Sequence, residues 1–131
     1  MNHQDIVTYN NKQSADLQPI CEVLEEEISA VLPEATAKLF HGSPVWFIDE
    51  NPIVGYDVSP AGHVTLLFWS GQSFDELLLT PRGKYKAAGI NYTAVGDIDI
   101  EFLHRWLAKS KAMQWDYKNL RQNDGKLQRL I

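Results

Sequence analysis

Apolar residues at Leu17, Ile20, Cys21, Leu24, Ile28, Val31 and Leu32 recur at spacings of three and four, which places them on one stripe of an α-helix facing a core. Proline is tolerated only in a first helical turn, so Pro19 limits where this helix starts. Asp16 is the expected N-cap, with Ser14 the alternative, and Pro33 marks the end. From Ala37 the period drops from about 3.6 to two. "PVWFID", "PIVGYDV" and "HVTLLFW" alternate between turn signals at Asp49-Glu50-Asn51-Pro52 and Ser59-Pro60-Ala61-Gly62, the pattern of an antiparallel meander. In the last of these strands Val64, Leu66 and Phe68 point one way, toward covering helices, while His63, Thr65, Leu67 and Trp69 point the other.

Beyond Gly71 the signals are shorter. "SFDELLL" reads as a helical turn capped by Ser73, and "GKYKAAGINYTAV" as one or two further strands interrupted near Gly89. Helical periodicity returns at "GDIDIEFLHRWL", with Asp99 as N-cap and Ile98 stapled against Leu103. Phe102, Leu103, Trp106, Leu107, Met113, Tyr117 and Leu120 fall in one broad sector, which extends this helix almost to Gly125. The order helix, strands, helix predicts an α+β fold of two layers, an antiparallel β-sheet with N- and C-terminal helices packed on one face. No repeat, low-complexity tract or linker divides the chain. Residues 1–131 are therefore expected to form a single domain, with 1–13 as an N-terminal extension and 113–131 as a basic C-terminal helical extension.

Composition narrows the class. With 44% hydrophobic and 22% charged residues the chain has the make-up of a globular protein. No apolar run approaches the ~18 residues of a membrane span. "MNHQDIVTYNNKQSADLQ" lacks the basic start and apolar stretch of a secretory leader, so a cytoplasmic location without a membrane partner is expected. Cys21, the single cysteine, cannot form an internal disulfide and lies on the apolar stripe, the place of a buried inert thiol. A net charge of −5 argues against a nucleic-acid partner, since phosphate binding needs a basic surface. That charge is uneven. Asp16, Glu22, Glu25, Glu26, Glu27 and Glu34 stand together without a basic residue, whereas Lys and Arg dominate after His104. Terminal helices lying side by side would bring these flanks together, at ~0–1 kcal/mol per exposed pair.

"HGSPVWF", "HVTLLFW", "GKYKAAGINYT", "DIDIEFLHRWL" and "WDYKN" follow one another in the order seen in the YdhG-like domain family, which the chain resembles from Leu17 to Leu130. The His-Gly-x-Pro corner, the Gly-Lys-Tyr-Lys turn and the Trp-Asp-Tyr-Lys-Asn tail are its most distinctive pieces. The resemblance implies a compact α+β fold of frataxin-like type. For relatives described as frataxin-like intracellular iron chaperones it implies iron handling, with iron as the candidate cargo. It brings no established set of metal ligands.

The residues themselves offer three candidate sites. His41 precedes Gly42, Ser43 and Pro44, a tight-turn sequence in which the imidazole either secures the corner or contacts a ligand. Trp46 and Trp69, with Leu67 and Tyr85 or Tyr92, are expected to share the uncovered sheet face, where they could hold a planar or apolar ligand anchored by His41 or His63. Glu22, Glu25 and Glu26 crowd one helical flank, and such like-charge neighbours favour a hard cation such as iron or a basic partner. Enzyme signatures are weak. Ser43 lacks a nucleophile elbow, "GQSFDE" and "RGKYKAAG" are no phosphate loop, and His3, His41, His63 and His104 have no zinc-site spacing. The chain therefore reads as a binding protein and not an enzyme. Its candidate functions are iron carriage on the acidic flank, or recognition of a small ligand or protein on the aromatic sheet face.

Overall fold

The computed structural model describes residues 3–131. Two helices, α1 (His3–Asn11) and α2 (Gln18–Val31), precede the strands β1 (Thr36–Phe40), β2 (Ser43–Ile48), β3 (Asn51–Ser59) and β4 (His63–Phe68). After a 3-10 turn at Gly71–Ser73 come β5 (Thr80–Pro81), β6 (Ala88–Tyr92) and α3 (Ile100–Ala112). The six strands form one antiparallel sheet in the order β1-β2-β3-β4-β6-β5. The two-layer α+β architecture expected from the sequence is present, with a third helix at the start of the chain.

The core lies between the helices and one face of the sheet. Ile20, Cys21, Leu24 and Ile28 of α2 and Leu103, Trp106 and Leu107 of α3 are sealed against Val54, Tyr56, Val64, Leu66 and Phe68. The ladder sets that face, because Val54 stands opposite Phe68, Tyr56 opposite Leu66 and Val58 opposite Val64. Each large side chain closed off here contributes about 1.5–3 kcal/mol. Asp99 caps α3 by accepting the Phe102 amide at 3.0 Å. The acidic and basic flanks do meet: His104 pairs with Glu27 at 2.6 Å, and Lys111 with Glu34.

Several local expectations are corrected. Leu17, not Asp16 or Ser14, occupies the N-cap of α2 without a side-chain bond. The turn that capping would have supplied comes from the Ser14 carbonyl, which accepts the Leu17 and Gln18 amides. The helical turn near Ser73 ends there instead of beginning, and Leu77 beyond it is fully exposed. Gly89 lies within β6 without interrupting it, paired with Leu67 where β4 comes so close that a Cβ would stand 2.6 Å from the Leu66 carbonyl oxygen. Within the expected N-terminal extension 1–13, α1 buries Ile6, and its buried Asn10 donates to Glu25 at 2.9 Å while accepting the Tyr56 hydroxyl at 2.6 Å.

The largest departure is at the end of α3, which stops at Ala112 and not near Gly125. Residues 113–131 form turns that double back on themselves, with Trp115 bridged to Arg129 and the Asp116 amide bonded to the Gln128 carbonyl at 2.7 Å. Asn51 holds this strap. Its side chain, 1% exposed, donates to the Trp115 carbonyl at 2.9 Å and accepts the Tyr117 and Lys118 amides at 3.0 and 3.1 Å. A buried amide that completes three backbone groups competes successfully with a helix carrying only a weak apolar stripe.

Candidate functional site

On the sheet face away from the helices, one cross-strand row runs Val45, Gly55, Leu67, Gly89. Two of its four positions, Gly55 and Gly89, carry no side chain. At Gly55 the glycine is required, because a Cβ would come 2.5 Å from the Pro44 carbonyl oxygen and 3.0 Å from Val45 Cγ2. β2 therefore approaches β3 closely, and the floor stays low. Two residues along each strand a polar row follows, in which Asp57 stands opposite Thr65 and Thr65 opposite Asn91. Trp69 continues beyond Leu67 on the same face, its amide bonded to the Ile53 carbonyl at 3.1 Å.

These rows bound an open groove of about 410 Å³ lined by Phe40, Val45, Gly55, Leu67 and Trp69 on its apolar side and by His41, Ser43, Asp57, Thr65 and Arg82 on its polar side. The polar side is organised by hydrogen bonds. Thr65 Oγ1 donates to Asn91 Oδ1 at 2.8 Å, and Arg82 Nη2 reaches the same oxygen at 3.2 Å while Arg82 Nε donates to Thr80 Oγ1 at 3.3 Å. At the other end Asp57 Oδ1 accepts the Ser43 hydroxyl at 2.6 Å and the Tyr9 hydroxyl at 3.4 Å. Burial, opposed by the Val58 amide bond and reinforced by the Asp57 charge, holds the Tyr9 phenol above its ordinary value. A second hollow, sharing Phe40, lies toward the C-terminal strap and is edged by Lys38, Phe47, Pro52 and Lys118.

The candidate residues are dispersed by this arrangement. His41 is in place on the groove rim, where with Gly42 it forms the two-residue turn between β1 and β2 (φ of 52° and 84°). Its ring lies 4.2 Å from that of Phe40. Trp69 forms the aromatic wall, as expected. Trp46 does not join it: opposite Val54 and 1% exposed, it faces the helices and donates from Nε1 to Ser29 Oγ of α2 at 3.2 Å. The reason is that residues of both parities in β2 are apolar and buried, so alternation alone does not set the phase of that strand. Tyr92 is likewise in the core, opposite Val64, and Tyr85 packs on Tyr117 of the strap. His63 stands opposite Ser59 and is not among the groove residues.

On α2, Glu22 and Glu26 are exposed, whereas Glu25 is turned inward to accept from Asn10 and to pair with His3 at 2.6 Å. Among the described residues no three His, Cys, Asp or Glu side chains stand together as a metal-holding group. Cys21 is fully buried, and desolvation pushes its thiol up to about 12. Sequence reasoning missed Gly55, for which a lone glycine inside "IVGYDV" was the available signal. Arg82 is visible in the sequence as part of a small basic spot with Lys84 and Lys86 beside Tyr85, a solvated turn or an anion contact, but its place on the groove depends on β5 pairing outside β6. Comparisons with protein-family models, with curated proteins and with solved structures return no match to this chain, and the chemistry of the groove rests on its own geometry.

Proposed function

We propose that this protein acts by binding, holding a small planar ligand in the open-face groove, and not by catalysis. The low apolar floor carries this reading: Gly55 and Leu67 lie between an aromatic wall at Trp69 and a hydrogen-bonded polar row. Ligand sites combine an apolar cleft of several hundred Å³ with a few placed polar groups, and a groove of about 410 Å³ is at the small end of that range. One- or two-ring molecules match it. Screening such compounds by tryptophan fluorescence is expected to give saturable quenching that disappears in Trp69→Phe; quenching by no compound overturns the reading.

Iron carriage, which the YdhG-like resemblance implies, would rest on Glu22, Glu25 and Glu26. Glu25 is already engaged by His3 and Asn10, so the groove has the stronger support.

A further inference from the structure

We propose that the ligand of the groove is a planar aromatic carboxylate, with its ring on the Gly55–Leu67 floor beside Trp69 and its carboxylate on the Arg82 guanidinium. This rests on the reading of the groove as a ligand site and adds the charge of the occupant. Ion pairs among the described residues engage His3, His104, Arg105, Lys109 and Lys111, and Arg82 is in none of them. It is nonetheless held in position, through Nε by Thr80 and through Nη2 by Asn91. Both partners are neutral oxygen acceptors. The Nη1 amine and the second Nη2 hydrogen therefore remain to donate side by side, the fork that matches a carboxylate. A guanidinium fixed beforehand also loses little freedom when the anion arrives.

The opposite end of the polar row fixes which way an anionic ligand must lie. The Asp57 carboxylate there accepts the Ser43 and Tyr9 hydroxyls and keeps its charge, so the ligand's carboxylate is seated at the Arg82 end, across the Thr65 and Asn91 positions from it. Lys38, on the adjoining hollow, adds positive potential, lying 4.6 Å from the centre of the Phe47 ring. A small anion alone would satisfy Arg82 and leave the apolar floor wet. A ring alone would cover the floor and leave the guanidinium without a counter-charge. One molecule carrying both groups answers both surfaces.

Titration of the ¹⁵N-labelled protein with 2-naphthoate, its neutral amide 2-naphthamide, and acetate separates these cases through the Trp69 Nε1–H and Arg82 Nε–H resonances. Naphthoate is expected to move both signals and to bind about tenfold or more tightly than naphthamide, the scale of a charge-assisted pair. In Arg82→Gln that preference is expected to vanish while naphthamide binding persists, and Arg82→Lys, which keeps charge without the fork, should fall between. Equal binding of naphthoate and naphthamide at Trp69 overturns the carboxylate inference but leaves the groove as a ligand site. Acetate binding as tightly as naphthoate overturns the aromatic half. If neither naphthalene compound moves the Trp69 signal, the groove reading falls with it.

Discussion

At the scale of single residues, side chains of one type take opposite roles according to the face they occupy. Trp46 and Trp69 are both strand-region indoles, yet one is tied to Ser29 beneath a helix and the other walls an open groove. Gly55 shows the same dependence on place. Gly55→Ala forces a methyl against the Pro44 carbonyl oxygen, so a loss of about 1–3 kcal/mol is expected in denaturant unfolding. The same change at the turn position Gly62, where a Cβ meets nothing but φ is +93°, costs only backbone strain. Cys21 is expected to resist aromatic disulfide reagents in the native protein and to react on unfolding, since the thiol is both buried and shifted to about 12. Rapid labelling without denaturant would show that α2 opens locally.

At the scale of elements, two polar anchors decide where the irregular segments lie. Asn51 fixes the strap, and Asn51→Ala strands the Trp115 carbonyl and the Tyr117 and Lys118 amides. A loss of about 2–4 kcal/mol is expected, with faster hydrogen exchange across 113–131 than in the sheet. Glu76 fixes the loop between the 3-10 turn and β5. Arg105 grips it in bidentate fashion at 2.5 and 2.8 Å, and Lys109 adds a bond at 2.6 Å. The Arg105 bonds first, and Lys109 after them, hold its carboxyl down at about 2 against the effect of burial. A carboxyl lowered in the folded state contributes stability that is complete above its unfolded value near 4.3 and is lost as pH falls toward 2. Glu76→Gln is therefore expected to cost about 1–3 kcal/mol at neutral pH, and in thermal melts the gap to wild type should close between about pH 4.5 and pH 2. A gap independent of pH would mean that the carboxylate charge is not what holds the loop.

For the whole molecule, the two sheet faces divide the work: one buries the core under three helices, and the other carries the groove. No helix of the described residues is long and apolar enough to cross a membrane. Calorimetric titration with ferrous iron is expected to give the same result for wild type and for the combined Glu22→Gln, Glu25→Gln and Glu26→Gln variant. Binding lost in that variant would move the function from the groove to the acidic flank. Helix α2, the meander through β2, β3 and β4, the Asp99 cap and the pairing of oppositely charged helical flanks were legible in the sequence, because period, turn residues and capping are properties of neighbouring positions. The chain alone thus determined α2, the central meander and the start of α3, and that helices and sheet stack in two layers. Only the tertiary structure decided that Trp46 turns inward, that Asn51 draws 113–131 out of a helix, and that Arg82 arrives beside Asn91. Those outcomes depend on strand phase and on partners far apart in the chain, and no local pattern encodes either.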